Sequence, residues 1–124
     1  MIKSQTNQKT GSIQKERRKH TRTNIHLPVY FICIDNDGNE IVQDIAAILN
    51  ISKSGILMES SHNLPGANYI RIMRSTKKND TVEVRGKVVY SIKVGTDKFM
   101  IGISFQDTLE KIFKFIKNLS VVFA

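Results

Sequence analysis

Residues 82–90 read VEVRGKVVY, and their alternation decides the architecture. Val82, Val84, Val88 and Tyr90 fall on one face with Gly86, while Glu83, Arg85 and Lys87 fall on the other. A repeat of two is that of a β-strand with one buried and one wet face. Downstream, Gly95 opens a hairpin, and Phe99, Ile101, Ile103 and Phe105 alternate again, with Gly102 among them. The repeat then changes. Leu109, Ile112, Phe113, Ile116 and Leu119 fall at helical spacing, with Lys111, Lys114 and Lys117 off that stripe. This predicts one amphipathic helix over residues 107–119, with Asp107 as its N-cap and Glu110 three residues on. Its apolar stripe is expected to pack on the sheet or on a partner.

Upstream of the deciding strand the same reading continues. Leu27–Asp35 (LPVYFICID) is dense in β-branched and aromatic residues. Asn36-Asp37-Gly38-Asn39 is a turn, because Gly and Asn tolerate positive φ. Glu40–Leu49, Gly55–Glu59 and Asn68–Arg74 read as further strands, separated by polar or Pro-Gly turns. Short strands in series followed by one helix predict a mainly β chain, an antiparallel barrel or a strongly curled sheet.

The chain has 124 residues, fitting one domain, and a formal net charge of +8. Residues 1–25 hold seven basic side chains and one acid; the remaining residues hold twelve basic and ten acidic groups. The excess therefore sits on an N-terminal arm poor in large apolar residues. Such an arm is expected to be flexible without a partner and to attract anions. Residues 1–15 are read as this tail and 16–124 as the domain.

One cysteine, Cys33, excludes an internal disulfide, and its apolar setting points to a buried, inert thiol. His20, His26 and His62 lack metal-site spacing. There is no nucleophile–base pairing and no phosphate-cradling glycine loop followed by lysine, so an enzyme is not expected. No apolar run has the length of a secretory or membrane segment, and the expectation is a cytoplasmic protein without membrane insertion.

Three stretches carry chemistry. Arg17-Arg18-Lys19-His20-Thr21-Arg22 precedes the first strand. Guanidinium grips phosphate through paired hydrogen bonds and stacks on bases. Arg18 and Arg22 would stand roughly 13 Å apart in an extended chain, so a joint grip needs a curled backbone. Taken alone, the run also reads as a solvated basic segment. Asn50-Ile51-Ser52-Lys53-Ser54-Gly55 follows the second strand. Its Asn can read a purine edge, Ser52 adds a hydroxyl, and Gly55 allows positive φ or close backbone approach; alone it is also an ordinary polar turn. Gly86–Tyr90 with Gly102–Phe105 reads as core packing, with a place near the ligand face only the lesser reading for Tyr90.

Arg18-x-x-x-Arg22 ahead of Leu27-Pro28-Val29, then Asn50-x-Ser52-x-x-Gly55 after the second strand, resembles the PilZ domain family. Gly86-x-Val88-Val89-Tyr90 and Gly102-Ile103-Ser104-Phe105 are similar to that family's last strands. The resemblance covers residues 16–119. It implies an antiparallel six-stranded PilZ-type β-barrel with a C-terminal helix, binding the bacterial second messenger cyclic di-GMP without catalysis or a resident cofactor. On that pattern Arg18 and Arg22 hold phosphates and meet guanine, Asn50 and Ser52 contact a guanine base, and Gly55 admits the ligand. Arg17 matches members that bind an intercalated ligand dimer. The resemblance further implies an output through a downstream protein partner, toward motility, exopolysaccharide or related behaviour, from a monomer or homodimer. Two alternatives stand beside it: a general nucleic-acid-binding barrel, disfavoured by the absence of tryptophan and the confinement of charge to one tail, and a PilZ scaffold that binds no ligand.

Overall fold

The alternation at residues 82–90 belongs to a longer strand in a computed structural model that describes residues 25–76 and 78–123, with side chains through residue 119. The described elements are β1 (Leu27–Ile34), β2 (Glu40–Ile51), β3 (Gly55–Ser60), β4 (Tyr69–Ser75), β5 (Thr81–Gly95), β6 (Lys98–Phe105) and α1 (Leu109–Phe123). All neighbours are antiparallel, in the order β1-β2-β3-β6-β5-β4, and β4 pairs back onto β1 to close a barrel. Closure removes the open edges along which sheets aggregate. The arm of residues 1–15, together with Arg17, Arg18 and Arg22, lies outside the described residues.

Local chemistry sets the hairpins. In the β1–β2 turn, the Asp35 carboxylate accepts from the backbone N–H groups of Asp37 and Asn39, both at 2.9 Å, and Gly38 takes φ 87°. Alternate residues point inward: Leu27, Val29, Phe31 and Cys33 from β1, Ile56 and Met58 from β3, Ile70 and Ile72 from β4, Val84 and Val88 from β5, Ile101 and Ile103 from β6. These form one hydrophobic cluster with the helix residues Ile112, Phe115 and Leu119. Cys33 lies inside it, as expected, and burial raises its thiol pKa.

Three expectations need correction. Alternation places Tyr90 inward with Val88, but Tyr90 is 43% exposed. The pairing steps from Val88↔Ile103 to Tyr90↔Gly102, so Val89 is an extra residue, a β-bulge that reverses the phase of the strand. The helix stripe also differs. Phe115 is fully buried, whereas Leu109 and Phe113 are exposed. The helix meets the barrel along Ile112, Phe115 and Leu119, an i, i+3, i+7 stripe rotated from the one read in sequence.

The helix start is also a shared task. The Thr108 carbonyl accepts from Ile112 N–H at 3.0 Å and its hydroxyl from Lys111 N–H at 3.2 Å, which makes Thr108 the N-cap. Asp107, expected in that place, instead accepts from the Arg85 backbone N–H at 3.0 Å and its guanidinium at 3.3 Å. It pins the start of α1 to β5.

Candidate functional site

A second bulge is the counterpart of that at Val89. Pairing of β2 with β3 steps from Ile48↔Met58 to Asn50↔Leu57, leaving Leu49 as the extra residue. Without it Asn50 would follow Ile48 into the core; with it Asn50 shares the outer face with Leu57. Each bulge thus sits one residue ahead of a side chain that it turns outward. The two side chains belong to one row. Asn50 pairs with Leu57, Leu57 with Gly102, and Gly102 with Tyr90, a continuous line across β2, β3, β6 and β5. Three inter-strand steps put the Cα atoms at its ends about 14 Å apart.

This row floors an open cleft of about 310 Å³, lined in addition by Ser52, Ser54, Gly55, Val89 and Ser104. Three of the sequence-derived site residues, Asn50, Ser52 and Gly55, therefore lie together. Tyr90, Gly102 and Ser104, which the sequence reads chiefly as core packing, belong to the same cleft, as does Leu57, which the sequence did not single out. Two cross-strand bulges bring Asn50 and Tyr90 to this face, and no single strand reveals either.

The polar loop is stiffened from within. The Ser52 hydroxyl lies 3.0 Å from the Ser54 hydroxyl and accepts from Ser54 N–H at 3.3 Å, while Ser52 N–H donates to the Gly55 carbonyl at 3.0 Å. Phe105 N–H donates to the Ser54 carbonyl at 2.9 Å, fastening the loop to β6. Gly55 is not in the positive-φ region. It faces the β6 backbone so closely that a Cβ would stand 2.0 Å from the Ile103 carbonyl oxygen. Close strand approach is the reason for glycine here. At the other end of the row, Gly102 leaves room for the Tyr90 ring.

Chain direction matters at the rim. Ile25 N–H donates to the Leu49 carbonyl at 3.1 Å, so the backbone leading in from the basic segment is tied to the residue before Asn50. Among the described residues no group of three His, Cys, Asp or Glu could hold a metal ion, and no helix is long and apolar enough to cross a membrane.

Comparison with known families adds a match to the PilZ domain over residues 16–119. The chain belongs to the PilZ domain family. PilZ domains bind cyclic di-GMP and are generally receptors without enzymatic activity. Solved structures agree on the fold. The chain is similar to the PilZ domain of CeSA from a cellulose-synthesizing bacterium, with TM-score 0.56 and 16% identity, covering 82% of this chain and 98% of that one. It is also similar to MrkH of K. pneumonia in its apo state, with TM-score 0.56 and 15% identity, covering 88% of this chain. The match takes in 54% of MrkH, so this PilZ chain spans about half of that protein. No curated protein matches the sequence.

Proposed function

We propose that this PilZ domain is a non-enzymatic cyclic di-GMP receptor whose ligand lies along the Asn50–Leu57–Gly102–Tyr90 row and is closed over by the arginine segment. The observation that carries the reading is that row: a hydrogen-bonding amide at one end, Leu57 beside it, and at the other end a half-exposed aromatic ring lying over Gly102. A planar base needs such a surface, an edge reader beside a stacking face. Asn50 and Ser52 meet the guanine edge, and Tyr90 offers its ring.

Arg18 and Arg22 supply charge against the phosphates. Three Cα–Cα steps lead from Arg22 to Ile25, a reach of about 10 Å at full extension. The Ile25–Leu49 hydrogen bond anchors that tether beside Asn50. Charge-assisted contacts of this kind contribute about 1.5–3 kcal/mol each, less the cost of ordering the arm. Arg17 adds a third guanidinium and favours a pair of intercalated ligands. Ordering of the arm is the signal, read in the cytoplasm by a downstream protein.

Isothermal titration of the full chain with cyclic di-GMP tests this. Saturable binding is expected, with two ligands per chain, and Arg18→Ala or Arg22→Ala should each weaken it by about tenfold or more. No heat at micromolar ligand with both arginines intact overturns the reading.

A further inference from the structure

At the far end of β5 from the ligand row, the β4–β5 hairpin and one flank of α1 enclose a second, larger cleft of about 910 Å³. Its helix wall carries Lys111, Lys114 and Lys117, and its barrel wall carries Lys78, Asp80 and Glu83. Lys111, Lys114 and Lys117 recur every three residues and so follow one flank of the helix. The helix cannot roll to disperse them. Ile112, Phe115 and Leu119 are fixed in the core, and the Arg74 guanidinium donates to the Asn118 side chain at 3.2 Å.

The positive charge in this cleft is only partly compensated. Among the described residues none of the four lysines is in an ion pair. The acids nearest in sequence do not serve them. Glu83 is held by both Nε and a terminal nitrogen of Arg71, at 3.1 and 2.9 Å, and Asp107 is committed to Arg85. Glu110, four residues before Lys114, forms no ion pair with it. Among the described lining residues, Asp80 and the Arg71-paired Glu83 are the acids set against the four ammonium groups. Like charges converging on one concavity raise its potential and favour an anionic occupant.

The lining narrows what that anion is. Among the described residues it contains neither an arginine fork nor an aromatic ring, and these offer no bidentate grip on phosphate and no stacking platform for a base. The row from Lys111 to Lys117 is about 9 Å long, too short to track a nucleic-acid backbone but enough for carboxylates at alternate residues of an extended peptide, about 6.6 Å apart. Lysine stems and Val82 add apolar surface between the charges. We propose that this cleft docks an extended acidic segment of a partner protein, with carboxylates on the helix lysines and apolar side chains between them. Glu83 and Val89 are six residues apart on β5, about 20 Å, so the docking cleft and the ligand row are separate surfaces. The proposal uses none of the residues assigned to cyclic di-GMP.

The test is fluorescence anisotropy of the full chain with a short labelled peptide alternating glutamate and leucine, at physiological salt. Saturable binding is expected, with backbone NMR shifts confined to residues 76–83 and 111–118. Lys111→Glu, Lys114→Glu and Lys117→Glu together should weaken binding by at least about tenfold, the sum of three modest ion pairs. The same charge change on the arm, Lys3→Glu, Lys9→Glu and Lys15→Glu, should change it by less than about twofold. If the reversed helix does not fold, the corresponding three Lys→Gln changes serve, with at least about threefold weakening expected. Absence of peptide binding overturns the proposal, as does equal weakening by the helix and arm variants, which is the mark of unspecific attraction. Tighter binding of a single-stranded oligonucleotide, lost in the helix variant, also overturns it and assigns the cleft to nucleic acid.

Discussion

The ring of Tyr90 fills the space that a side chain at Gly102 would need: a methyl group there would stand 2.2 Å from the ring Cε2 and 2.5 Å from Cζ. The two are cross-strand neighbours on the outer face of the barrel. Gly102→Ala therefore expels the ring, which is the free end of a flexible, half-exposed side chain. The fold should survive with a loss below about 1 kcal/mol. Cyclic di-GMP affinity should fall about three- to tenfold, the worth of one aromatic contact. Gly55→Ala contrasts with it. There the obstacle is the Ile103 carbonyl at 2.0 Å, which moves only with the β6 backbone. That variant should lose about 1–3 kcal/mol of stability. Thermal melts that rank Gly102→Ala as the more damaged variant would count against this account.

Cys33 is fully buried, and burial holds its thiol above the ordinary range. A disulfide reagent reacts with thiolate, so the native protein should leave the reagent uncoloured at neutral pH and react with one equivalent in denaturant. Rapid native reaction would mean that the barrel opens locally near β1.

Much of this arrangement is legible along the chain. Strand after strand alternates because a barrel has one dry face, and the Asn36–Asn39 turn announces itself through the residues its backbone requires. The expected strands and the observed ones share their centres, differing at the ends where β2 and β5 run on. What a single strand cannot display is its phase against a neighbour. Val88-Val89-Tyr90 looks like an unbroken alternation, and only the pairing with Ile103 and Gly102 shows Val89 as an insertion. Tyr90 consequently reads as core when it belongs to the cleft. The helix has a similar ambiguity. Ile112, Phe113, Phe115 and Ile116 give it apolar residues over too wide an arc for spacing to choose a contact line. Adjacent Asp107 and Thr108 are both capping residues, and the choice between them is made by Arg85, 22 positions before Asp107 in the chain.

That contact line can be measured. Phe115 is fully buried in the cluster that joins α1 to the barrel, while Phe113, two residues earlier, is 50% exposed. Phe115→Ala should cost about 3–5 kcal/mol through lost burial and a residual cavity. Phe113→Ala should cost less than about 1 kcal/mol. Urea titrations of the two variants decide it, and similar midpoints would return the helix to the stripe expected from spacing.

Acid should loosen the same helix at its start. Burial by itself pushes the Asp107 carboxyl up, but hydrogen bonds from the Arg85 side chain and backbone and from Thr108 N–H outweigh it, and the group stays below the usual carboxylate range. A carboxyl whose folded pKa is depressed contributes stability that is fully present above its unfolded value, about 3.9, and is lost as the pH falls through the folded value. Asp107→Asn removes the charge but keeps an acceptor for Arg85 N–H. The variant should be less stable than the native chain by about 1–2 kcal/mol at pH near 7, a modest figure because the Arg85 guanidinium is partly exposed to solvent. As the pH falls from about 3.9 through the lower folded value, the native carboxyl itself becomes protonated, and the gap between the two proteins should close. Urea melts across that interval measure it directly. A gap that stays constant into acid would show that the Asp107 contacts act through shape alone, without the charge.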